Sequence, residues 1–266
     1  MEWALPQFWP LVVAGGFIVG LLVGMTGVGA GSMTTPFLIS VIGINPIVAV
    51  GTDLLFACIT KASSAWHHHR LGNVNYRILG WLAAGSLPAA ALVLVWLAWS
   101  GIDVTMLAVY IRFILAGALI VSALAIAAFP LLTRNHAALP EADLIPTASR
   151  PIPTVILGIL IGATVALSSV GAGAIGVVVL TALYPALAMR RLVGTDIVHA
   201  IPLTLIAGLG HLSLGHVDVG LLATLLAGSV PGIAIGSRLT GTLPDWALRL
   251  TLAAVLCLAA YSLLAK

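Results

Sequence analysis

Apolar runs follow one another along this chain, and short polar or glycine-rich stretches mark where each run stops. The pattern predicts two short segments at about 11–27 and 32–43, then longer helices at about 49–66, 76–98 and 105–129. The same script returns with short segments at about 154–167 and 174–184, followed by helices at about 192–212, 217–237 and 246–265. The short segments meet at glycines: `GMTGVGAGSM`, Gly24 to Met33, and `LSSVGAGAIG`, Leu167 to Gly176. Glycine is a poor residue for a helix interior, so both stretches read as breaks in otherwise good helix material.

Composition then sets the class. Hydrophobic residues make up 61% of the 266 and charged residues 7%, with a mean hydropathy of +1.18. A soluble domain carries about 25% charged residues. Most of the runs approach the ~20 residues that cross a bilayer. The expected fold is therefore an all-α polytopic membrane protein. A net charge of +3 does not imply nucleic-acid binding, because no run of basic residues exists to make a patch. Cys58 and Cys257 lie in apolar segments and read as small hydrophobes. The opening `MEWALPQFWP` lacks a basic n-region, so the first apolar run is expected to remain in the mature protein. No Ser–His–Asp set, metal-ligand spacing or phosphate loop appears, so neither an enzyme nor a cofactor or metal is expected. The `HHHR` run, His67 to Arg70, does not change this, since consecutive helical residues point about 100° apart and cannot converge on one ion.

The chain repeats itself. `VGAG` at 28–31 recurs at 170–173, `VGTD` at 50–53 recurs at 193–196, and `GSLP` at 85–88 recurs as `GSVP` at 228–231. Gly72 and Val74 of `GNV` match Gly215 and Val217 of `GHV`. The offset is 142 for the first match and 143 for the others, so one inserted residue aligns them all and indicates an internal duplication: a first membrane repeat over 1–132, a polar, proline-punctuated linker over 133–153 and a second repeat over 154–266. If each pair of short segments forms a hairpin or two spans, then Arg70, Arg77, Arg134, Arg150, Arg190, Arg191, Arg238 and Arg249 all fall on one side, leaving Lys266 on the other. The positive-inside rule favours this arrangement, with inverted repeats and both termini on the periplasmic side.

Broken helices meeting at mid-depth in inverted repeats are a pattern of secondary transporters. Helix starts near Ser32 and Ala174 would present free N–H groups and the positive end of a helix dipole to an anion. The expected substrate-binding backbone is Gly29, Ala30, Gly31 and Ser32 together with Gly171, Ala172, Gly173 and Ala174. Close helix packing is the competing account of these glycines, and it suits the four-residue spacing of Gly16, Gly20 and Gly24 and of Gly158 and Gly162. Thr52–Asp53 and Thr195–Asp196 either cap the helices that follow or border the cavity. In the second case the hydroxyls bind solute and the acids gate or carry protons. Lys61 sits deep in `LLFACITKASSAW`, where it either pairs with Asp53, Asp196 or a bound anion, or snorkels toward the Arg70 side. His199 shares a helix face with Asp196 and joins it as a candidate for proton coupling, with His211 as a possible partner. Arg112, near a helix start, reads as a headgroup anchor.

The stretches `GLLVGMTGVGAGSMTTPFLI`, `INPIVAVGTDLL` and `HHRLGNVNYRI` resemble the TauE/SafE family of membrane permeases over essentially the whole chain. The resemblance implies movement of sulfite, organosulfonates or related sulfur oxyanions or carboxylates across the cytoplasmic membrane. The expected function is a permease for a small anion, in an exporting sense, with the solute and the bilayer as partners and a homodimer left open. An anion channel and a proton-coupled uptake permease for a carboxylate or sulfonate are the alternatives. A uniporter would suffice for efflux from an inside-negative cell, whereas uptake would need protons or another ion.

Overall fold

The computed structural model describes residues 9–26, 31–133, 150–239 and 244–265, and no strand occurs among them. Helix α1 is Trp9–Thr26, and α2 is Gly31–Phe37 continued by a π-type turn, Leu38–Ile42. Then come α3, Pro46–Arg70, α4, Tyr76–Trp99, and α5, Val104–Thr133. The second series is α6, Pro151–Ser168, α7, Ala174–Leu183, α8, Met189–Ser213, α9, Val219–Arg238, and α10, Asp245–Leu264. Seven of them are long and apolar enough to cross a membrane. The chain is an all-α polytopic membrane protein. Large apolar side chains such as Leu92, Leu124, Ile152 and Leu258 are exposed on the outside, as lipid permits and water would not. Trp66, Trp96, Trp99 and Trp246 are exposed near helix ends.

The predicted helices lie close to those observed, with one difference in the short pairs. Helices α1 and α6 each have 18 residues, about 27 Å at 1.5 Å per residue. Only α2 and α7 fall well short of a span. Helices α6 and α7 close into a hairpin: the Tyr184 hydroxyl lies 2.7 Å from Thr154 Oγ1 and donates to the Arg150 carbonyl at 3.3 Å.

The repeated motifs have clear local jobs. Gly72 and Gly215 take the left-handed turn after α3 and α8, with φ of 68° and 75°. Three residues on, Asn75 and Asp218 cap α4 and α9 by accepting from Ile78 N–H at 3.2 Å and Leu221 N–H at 2.7 Å. The cap of α3 is Asn45, which accepts from Ile47 N–H at 3.0 Å ahead of Pro46. Asp53 and Asp196 are therefore not caps. Each lies seven residues into its helix, about 10 Å from the first turn.

Packing exchanges equivalent partners. Helix α1 lies along α9, α6 along α4, α3 against α8, and α5 against α10. Gly16, Gly20 and Gly24 rest on the backbone of Leu225, Ser229 and Ile233, and Gly158 and Gly162 rest on Leu82 and Ser86. The four-residue glycine series therefore serves close helix packing, and both pairs run parallel. Helices α3 and α8 run antiparallel. Gly51, early in α3, sits on the His216 carbonyl and the His211 Cβ, beyond and at the end of α8; Gly194, early in α8, sits on the Asn73 carbonyl and His68 at the end of α3. Cys58 and Ile201, 143 positions apart, meet each other, with the thiol 3.9 Å from the Ile201 carbonyl.

Candidate functional site

The antiparallel pair α3 and α8 carries the buried chemistry. Asp53, Lys61, Asp196 and His199 are all buried, inside helices whose surroundings are otherwise apolar. Along α3, Asp53 stands about 10 Å and Lys61 about 22 Å from the first turn. Asp196 enters from the other end of the bundle on α8. Lys61 thus lies between the two carboxylates in depth, and its ammonium is in electrostatic reach of Asp196 and then Asp53. The ammonium forms no contact ion pair with either. It points into the bundle and does not snorkel.

The two carboxylates meet the two short helices. Asp53 Oδ2 accepts from the Thr35 hydroxyl of α2 at 2.6 Å. The Thr34 and Ser169 hydroxyls face the same carboxylate, while Oδ1 has no partner at bonding distance. Asp196 lies against the first turn of α7. Its Oδ1 occupies the space where a side chain on Gly176 would sit, the Gly173 backbone faces it, and neither oxygen makes a hydrogen bond. The chain reaches this tip through Ser169, Gly171 and Gly173, with φ of 58°, 132° and 117°. The last two conformations suit glycine and exclude most other residues without strain.

Several expected site residues fall elsewhere. Gly29 and Ala30 lie outside the described residues. Gly31 and Ser32 open α2, with Ser32 buried. Gly171 is buried, whereas Ala172, Gly173 and Ala174 are half-buried at the α7 tip. The Thr52 and Thr195 hydroxyls accept the N–H of Asp218 at 3.0 Å and of Asn75 at 2.9 Å, pinning the starts of α9 and α4. They tie the fold together at its two ends. His199 lies 2.7 Å from Ser86 Oγ of α4, and His211 Nε2 is 2.9 Å from the Ala166 carbonyl. The two histidines are 12 residues apart on one helix, about 18 Å, so they do not form a pair. Arg112 is half-buried eight residues into α5, with Nε buried and unbonded, not a surface anchor. Thr34, Thr35 and Ser169 were missed; the signal was a Thr–Thr pair inside a short apolar helix.

The `HHHR` run ends α3. His69 hydrogen-bonds the Tyr76 hydroxyl, and Arg70 covers the Trp66 ring at 4.8 Å.

Long apolar helices around a buried ammonium and two buried carboxylates define a multi-pass membrane protein of the transporter class, since such charges inside a membrane bundle mark a solute or ion path. Comparison with known proteins makes this specific. The family model for the sulfite exporter TauE/SafE matches residues 12–263, and the chain belongs to that family. It is 35% identical over 262 residues to the probable membrane transporter protein YjnA of Bacillus subtilis, covering 95% of this chain and 98% of that one. It is 28% identical over 246 residues to the probable membrane transporter protein YdhB of the same organism, covering 90% and 93%. No solved structure gives a significant match.

Proposed function

We propose that this protein moves a small anion, sulfite, an organosulfonate or a related sulfur oxyanion, outward across the bacterial cytoplasmic membrane. Lys61 carries this reading: one ammonium, buried within electrostatic reach of two carboxylates but in contact with neither. An intramembrane cation of this kind is costly unless a counter-charge visits it. The half-buried Gly173 and Ala174 open α7, and the Gly173 backbone faces Asp196, the carboxylate within reach of Lys61. The family's description names sulfite as an exported solute.

The two halves are read as inverted repeats, each a short-helix pair plus three long helices. Equivalent contacts 143 residues apart and the antiparallel run of α3 and α8 support a two-fold axis in the membrane plane. With the arginines on the cytoplasmic side, both termini face the periplasm. Burial of Asp53, Thr34, Thr35 and Asp196 favours a carrier with alternating access over an open pore.

The test is flux into proteoliposomes carrying the purified chain, with sulfite, methanesulfonate, thiosulfate and small carboxylates offered in turn. Saturable movement of a sulfur oxyanion, lost in Lys61→Ala, is the expected result. Equal flux in Lys61→Ala, or no saturable flux of any of these anions, overturns the reading.

A further inference from the structure

Two equivalent aspartates stand at two equivalent tips, yet their surroundings differ. The positions of α7 that correspond to Thr34 and Thr35 of α2 are Gly176 and Val177. Asp53 has a hydroxyl at 2.6 Å, and two more face it. Asp196 is 1% exposed, is aimed at the first turn of α7, and leaves both oxygens without a hydrogen bond. The structure thus anchors one carboxylate with a hydroxyl and leaves the other with only the Gly173 backbone and the Lys61 charge facing it.

We infer that Asp196, and not Asp53, takes up a proton when the transported anion binds, so that proton and anion cross together. This rests on the anion reading above; because the coupled pair is neutral, the membrane potential no longer drives efflux, and outward movement then depends on the anion's own gradient exceeding the opposing pH gradient. Asp196 is the carboxylate that acts most strongly on Lys61. An anion drawn to Lys61 and the α7 tip would place two negative charges on one ammonium in a medium of low dielectric. A proton on Asp196 removes the excess. The O–H bond forms on a carboxylate oxygen with a proton from water on the entry side and breaks to water on the exit side.

The groups facing Asp196 are few. Helix α3 presents Lys61 and, farther away, Asp53 and the half-buried Cys58. On α8 itself stand His199, bonded to Ser86 of α4, and Arg190 and Arg191 at the mouth. Helices α6 and α7 contain no ionisable residue, and Tyr76 and Arg77 of α4 are exposed at its first turn.

Methanesulfonate is a suitable probe because it stays a monoanion across neutral pH, so any pH dependence belongs to the protein. In proteoliposomes of the full chain, the KM for methanesulfonate should fall about threefold to tenfold from pH 7.5 to 6.5, tenfold being the limit for one whole proton taken up per anion. A potassium–valinomycin potential should leave the flux unchanged, because the pair moved is neutral. Asp196→Asn should show a low KM that no longer responds to pH, and Asp196→Ser should do the same. Asp53→Asn should keep the wild-type pH response. A wild-type KM flat with pH, potential-driven flux, or an undiminished pH response in both Asp196 variants overturns the proposal while leaving the anion reading intact. Absence of saturable flux in the wild type fails the anion reading itself, and this proposal with it.

Discussion

Replacing Gly16 by alanine tests how closely α1 and α9 are packed. The added Cβ would lie 2.6 Å from the Leu225 carbonyl oxygen and 3.3 Å from the Leu225 Cα. A relaxed carbon–oxygen contact needs about 3.3 Å. The helices must therefore part by about 0.7 Å at this point, and the obstacle is backbone, which cannot rotate out of the way. Overpacking of this kind costs about 1–3 kcal/mol. Gly80 and Gly117 provide the matched controls, since both lie inside helices and a Cβ there meets nothing within 4 Å. Alanine at those positions should stabilise by about 0.5–1 kcal/mol through helix propensity. Thermal unfolding in detergent reads the difference, at about 2–4 °C per kcal/mol for a chain of this size. Gly16→Ala should melt about 2–12 °C below wild type, while Gly80→Ala and Gly117→Ala should melt at or above it. A Gly16→Ala protein as stable as Gly117→Ala would refute the close approach.

Removing the hydroxyl from Thr35 as Thr35→Val should destabilise by about 1.5–3 kcal/mol, because a buried carboxylate loses its hydrogen bond, while Thr35→Ser should keep most of the stability. Ser86→Ala strands His199 Nε2 and should cost about 1–3 kcal/mol, whereas Ser229→Ala should be near neutral, since its buried Oγ has no partner. Thr52→Val and Thr195→Val each orphan one backbone N–H at a helix start; equal losses of about 1–2 kcal/mol are expected, with faster hydrogen exchange at Asp218 and Asn75 respectively. A large inequality between those two would count against their equivalence.

Helices in lipid must satisfy their own backbone, so apolar length translates almost directly into elements, and the runs in this sequence forecast nearly every helix within a few residues. The break at Gly171–Gly173 was legible for a related reason, since clustered glycine is hard to keep helical. For Lys61, Asp53 and Asp196 the sequence left a buried and a surface role both open, and packing decided for burial. Helix starts were less legible. Asn45 and Pro46 open α3 earlier than the apolar pattern indicates, which moves Asp53 from an expected cap to mid-helix.

What the chain alone determined is its class, its repeated script and the short list of costly polar residues, because burial in lipid penalises charge wherever it occurs. Which of those residues meet was decided by tertiary packing. Thr52 and Asp53 are neighbours in sequence but point about 100° apart on one helix, so one pins the start of α9 and the other meets Thr35 of α2. Likewise, Asp53 and Asp196 share one motif, and only the helix packed against each gives it a hydrogen-bonding hydroxyl or the bare face of Gly176.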